Sequence, residues 1–168
     1  IRVLHNLSFV EDPTRVFRSI RFEQRFRFVV EKHTLALMKH AIKKKCVDGL
    51  SGHRLWRELR LVLSEVEPLE CIRRMRKLGL VWQIHPEILE DGVKLQVLER
   101  IQVVLEDNNI IPLQEKPESW MVYLYGLLFW LKNESLDQVL DRLQLPIRLR
   151  EKIRTDFAGS KCVLKYIE

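Results

Sequence analysis

Asp12 and Arg15 have the chemistry to read the edge of a nucleobase. They stand three residues apart, so on a helix they share one face and set a carboxylate acceptor beside a forked guanidinium donor. A carboxylate accepts from the exocyclic amine of adenine or cytosine while a guanidinium donates to the adjacent ring nitrogen. Guanine and uracil present a carbonyl beside a ring N–H there, and the same pair rejects them. The residues alone leave a second reading open, in which Asp12 caps the helix and Arg15 pairs locally with it or with Glu11.

Other cations surround this pair in sequence. Arg15, Arg18, Arg21 and Arg25 recur at intervals of three, three and four and form a basic stripe beside the apolar face of Val16, Phe17 and Ile20. Glu23 is the only acid after Asp12 on that helix, so the stripe faces water or phosphate, with Arg18 and Arg21 as candidate RNA contacts. Lys43, Lys44 and Lys45 are further candidates, although lysines also suit a helix C-terminus. Arg54, Arg57 and Arg60 repeat the interval of three on a later helix.

The elements that must position these groups are helical. Asp12-Pro13 predicts a helix start, with Asp as N-cap and Pro at the first position, running past Arg25. A second helix is expected from near Thr34 to the lysine run, and a third from Ser51 with Leu55, Leu59, Val62 and Leu63 inward. A fourth runs from Pro68 to a stop at Gly79. Helices over Gly92 to about Asp107, Met121 to Leu131, Ser135 to Leu143 and Pro146 to Phe157 follow, with the start of another at Lys161. Asn108 to Pro117, with two prolines and no helical period, reads as a connector. No stretch alternates like a strand, so the expected fold is all-α. It has two consecutive helical subdomains, 1–107 and 108–168. Trp56, Trp82, Trp120 and Trp130 are expected in the core.

Composition narrows the function classes. The 168 residues carry a net charge of +6, unevenly: residues 1–79 hold 18 Lys and Arg against 9 acids, and residues 80–168 hold 11 against 14. A basic half of this kind favours a polyanion. Cys46, Cys71 and Cys162 are odd in number and far apart, which suits reduced thiols and a cytoplasmic setting. The five histidines show no metal-ligand spacing, and no Gly-rich phosphate loop or nucleophile elbow is present. No apolar run has the length of a membrane span. The chain opens on Ile1, as a fragment would.

EDPTRVFRSIRFEQRF (11–26) resembles the EDxxR element and its RAxRF-type continuation in the bacterial tRNA nucleotidyltransferase and poly(A) polymerase family. SGHRLWRELRLVLSE (51–65) and PLECIRRMRKLGLVWQIHPE (68–87) continue the similarity in the same order, over about the first half of the chain. The resemblance implies that Asp12 and Arg15 read ATP or CTP, with Arg54 bordering that pocket. It implies a parent enzyme whose upstream head domain holds Mg²⁺ on paired carboxylates and adds A or C/A nucleotides to RNA 3′ ends. This chain would then be the neck and body, with no catalytic or metal-binding residue of its own, inactive alone and binding no cofactor by itself. His53 stands where many CCA-adding members have Glu, and RLWREL is closer to the form of poly(A) polymerases and A-adding relatives. The alternative class is a non-catalytic basic helical module that binds RNA or protein. The residues leave the oligomeric state open.

Overall fold

In the computed structural model, residues 1–90, 92–106 and 118–164 are described. The side chains of 92–94, 106 and 160–164 are not among them, so the Cys162 side chain lies outside the description, as does the connector over 108–117. The described residues are helical, without strands, as expected. The helices are α1 (Ser8–Glu11), α2 (Thr14–Arg25), α3 (Lys32–Lys43), α4 (Gly52–Leu63), α5 (Pro68–Leu78), α6 (Gly92–Glu106), α7 (Ser119–Leu128), α8 (Asn133–Leu143) and α9 (Ile147–Leu164). Short 3₁₀ turns lie at Cys46–Gly49 and Val81–Gln83.

The helix starts show how local chemistry sets the boundaries. Asp12 is extended (φ −136°, ψ 90°) while Pro13 is already helical, and the Asp12 carboxylate accepts from the Thr14 amide and hydroxyl. Asp12 therefore acts as the expected cap, one residue ahead of the nominal boundary. The second helix begins earlier than Thr34, because Glu31 reaches over the first turn and accepts from the His33 and Thr34 amides. Ser51 caps α4 through the Arg54 amide. Gly79 ends α5 at φ +79°, where its amide and that of Leu80 return to Arg76 and Met75.

Two expectations fail. The break placed between Phe157 and Lys161 is absent, since α9 runs unbroken to Leu164. Two of the four tryptophans are not core. Trp56 and Trp120 meet edge to face at 5.8 Å inside, but Trp82 and Trp130 are each 44% exposed. Trp82 lies in the 3₁₀ turn just after Gly79, while Val81 and Ile84 on either side take the buried positions.

Packing centres on α2 and α4. Val16, Phe17 and Ile20 are completely buried, each worth roughly 1.5–3 kcal/mol against exposure. α2 packs on α4 and α5, and α4 also packs on α7 and α8. One apolar core thus runs from Phe9 to Phe157, on both sides of the connector. Arg142 of α8 donates to the Val47 and Leu50 carbonyls at 3.0 Å each, docking α8 on the turn that opens α4. Gly52 permits that approach: a β-carbon there would fall 2.6 Å from the Arg142 carbonyl.

Candidate nucleotide and RNA site

Asp12 and the facing sides of α2 and α4 wall an open cleft of about 410 Å³. Asp12, Arg18 and Arg21 line it from one side and Arg54, Arg57 and Glu58 from the other. Its size falls within the range of about 300–1,000 Å³ common for ligand pockets.

Asp12 has two unlike oxygens. Oδ1 accepts from Thr14 N (3.2 Å), Thr14 Oγ1 (2.6 Å) and Arg54 Nη2 (3.0 Å). Oδ2 accepts no hydrogen bond among the described residues and faces Arg15 Nε at 3.8 Å. Capping therefore consumes one oxygen and leaves the other. Burial pushes the Asp12 carboxyl up. The Thr14 hydrogen bonds and the Arg54 and Arg15 charges outweigh it and hold the group ionised below its ordinary value.

Arg15 is placed differently from Arg54. Its Nη1 donates to Ser8 Oγ at 2.6 Å, which turns the guanidinium toward an adjoining groove lined by Ile1, Val3, Phe9 and Phe22. Arg18 lines both concavities and sits at their boundary. Arg15 Nη2 remains uncommitted among the described residues.

The basic stripe on α2 divides in two. Arg21 is expected on an RNA-facing surface, but its side chain is only 11% exposed and donates through Nε to Glu65 Oε1 at 2.7 Å. Arg25 joins it on the same carboxylate through two hydrogen bonds of 2.8 Å. Glu65 lies at the end of α4, about 40 residues away, so a stripe that lacks acids along its own helix is neutralised by another. Arg21 is thus a floor residue of the cleft and not a free surface cation. Arg18 is exposed and has no ion-pair or hydrogen-bond partner among the described residues.

Lys43, Lys44 and Lys45 are exposed at the end of α3, and none lines the cleft. Lys45 adopts φ 55°, where the chain turns out of the helix. Arg57 and Glu58 are the residues that sequence reasoning left out of the site. Arg57 is exposed and unpaired among the described residues. Glu58 is 8% exposed and its Oε2 is buried without a hydrogen-bond partner. Burial pushes the Glu58 carboxyl up against the pull of Arg21, Arg18 and Arg57. Their positions three and four after Arg54 were the available signal.

Among the described residues no three His, Cys, Asp or Glu side chains gather as metal ligands. No helix among them is long and apolar enough to cross a membrane. Cys46 and Cys71 are free.

No family model matches the chain. Over 153 residues, 91% of its length, it is 47% identical to an A-adding tRNA nucleotidyltransferase of Geobacter sulfurreducens. Over 151 residues, 90% of its length, it is 30% identical to the A-adding tRNA nucleotidyltransferase of Aquifex aeolicus. The chain is a helical region of the tRNA nucleotidyltransferase family. It spans 17% and 18% of those two relatives. Among solved structures, the Thermotoga maritima CCA-adding enzyme complexed with tRNA superposes with a TM-score of 0.79 at 33% identity. That match covers 98% of this chain and 40% of that one. A CCA-adding enzyme in complex with ATP gives 0.81 at 33% identity, over 98% of this chain and 39% of that one. The all-α expectation and the nucleotidyltransferase resemblance both hold.

Proposed function

We propose that this chain is the base-selecting and RNA-binding helical part of a template-independent RNA nucleotidyltransferase that adds A or C/A nucleotides to RNA 3′ ends. The observation that carries the reading is the Asp12 carboxylate in the cleft wall, ionised, with Oδ1 fixed by Thr14 and Arg54 and Oδ2 open. Oδ2 would accept from the exocyclic amine of adenine or cytosine. The uncommitted Nη2 of Arg15 would donate to the neighbouring ring nitrogen, and Arg54 would hold the carboxylate in register. The relatives' names and the ATP and tRNA complexes of the solved neighbours support nucleoside triphosphate and RNA as ligands.

In this reading residues 1–107 form the neck-type part and 108–168 the body. RNA phosphates meet Arg18 and the Lys43–Lys45 run, with Arg21 beneath the cleft. Mg²⁺ belongs to the enzyme's other parts, as the family resemblance implies, and this chain by itself transfers no nucleotide.

Titration of the full-length enzyme that carries this chain with ATP, CTP, GTP and UTP tests the reading. ATP and CTP should bind more tightly than GTP and UTP, and Asp12→Ala should erase the difference while the enzyme stays folded by circular dichroism. Equal binding of all four by the unsubstituted enzyme would refute it.

A further inference from the structure

Most arginines of α2 and α5 that approach a neighbouring helix find an acid there. Arg21 and Arg25 share Glu65, Arg73 pairs with Glu70 and with Glu99 on α6, and Arg74 forms two hydrogen bonds with Glu23. Arg18 and Arg57 do not. They come from two packed helices, line one cleft, and have no ion-pair or hydrogen-bond partner among the described residues.

The acids nearby do not satisfy them. Asp12 gives Oδ1 to Thr14 and Arg54. Glu58 lies in the same wall, more than nine-tenths buried, yet its Oε2 accepts from neither guanidinium. Like charges gathered in a concave surface cost stability unless a counter-charge arrives, and the concavity focuses their field on whatever enters.

We propose that Arg18 and Arg57 form a two-helix phosphate clamp in this cleft, Arg57 being a ligand-contacting residue for the phosphate groups of a polyphosphate or an RNA strand. Two guanidiniums carried on separate helices can each offer a forked pair of N–H donors to phosphate oxygens, which a single ammonium cannot. The inference deepens the reading above in that it places the ligand in the same cleft, but it does not depend on Asp12 selecting a base.

The test titrates the chain with inorganic tripolyphosphate, adenosine and a single-stranded RNA lacking terminal phosphates. It compares R18A, R57A and R57K with K39A, which removes an exposed charge from α3, away from the cleft. R18A and R57A should each weaken tripolyphosphate binding on the order of tenfold, R57K less, and K39A under about twofold, with adenosine unaffected. If the phosphates are those of RNA, each clamp substitution also lowers the salt slope of RNA binding by about one. Unchanged RNA binding assigns the clamp to a free polyphosphate. Failure of the unsubstituted chain to bind either phosphate ligand, equal binding by R57A, or an equal loss in K39A would overturn the clamp. Loss of base discrimination with tripolyphosphate binding intact, or the reverse, separates this inference from the base-reading one. Arg57 is exposed and unpaired among the described residues, so R57A should melt with the parent.

Discussion

Arg54 Nη2 donates to Asp12 Oδ1 at 3.0 Å, joining the start of α4 to the start of α2 across 42 positions of sequence. The two side chains are 56% and 27% exposed, so solvent screens the pair and its share of stability is about 0–1 kcal/mol. Its consequence is geometric: it fixes which Asp12 oxygen is spent and which is left without a hydrogen bond among the described residues.

Arg54→Ala should therefore leave the melting temperature within about 3 °C of the parent and reduce ATP-over-GTP discrimination. The Asp12 carboxyl should also titrate closer to its ordinary value, because one of the charges depressing it is gone. A depressed carboxyl stabilises the fold above its unfolded value of about 3.8 and loses that contribution as pH falls through the lower folded value. The Arg54→Ala chain should lose it at slightly higher pH. A carbon-detected pH titration of Asp12 measures this directly, and an unmoved midpoint would count against the assigned pairing.

Glu65 carries a different weight. It is 3% exposed and receives both Arg21 and Arg25, so Glu65→Ala leaves Arg21 buried without its counter-charge. The loss should be about 3–5 kcal/mol, or on the order of 10 °C in melting temperature. Glu65→Gln keeps oxygen acceptance and shape and should lose less. Denaturant unfolding of both variants checks the order.

Glu58 should show the opposite pH behaviour to Asp12. Burial raises its carboxyl above the unfolded value of 4.5, so the fold is penalised once pH rises above that value, and the penalty is complete above the folded value. Glu58→Gln should stabilise the chain near pH 7 and bring no gain near pH 4. Thermal melts of the two proteins between pH 4 and 8 give the comparison, and a gain independent of pH would rule out the charge as its cause.

The short-range features were legible in sequence because their causes are short-range. The Asp12-Pro13 start and the Ser51 cap rest on side chains within three residues of the amides they satisfy, and the Gly79 stop on backbone bonds that close within five. The apolar faces of α2 and α4 follow from helical period alone. The family resemblance was legible too, because its three motifs keep their order over the first half of the chain. The Glu31 cap was missed because Thr34 offers an equally good cap nearby. Trp82 and Trp130 were placed inside because hydropathy registers a ring's size and not the direction in which a turn points it.

What sequence by itself determined was the helical alphabet of the chain, its basic half and the Asp12 cap, since each depends on neighbours along the chain. Only the tertiary structure decided which cations are free. Arg21 and Arg18 are alike in sequence, one turn apart on one helix. Glu65, folded back from the end of α4, neutralises Arg21, while Arg18 is left facing the cleft with Arg57. Charge pairing across helices depends on distance in space, and no periodicity within α2 encodes where α4 will end.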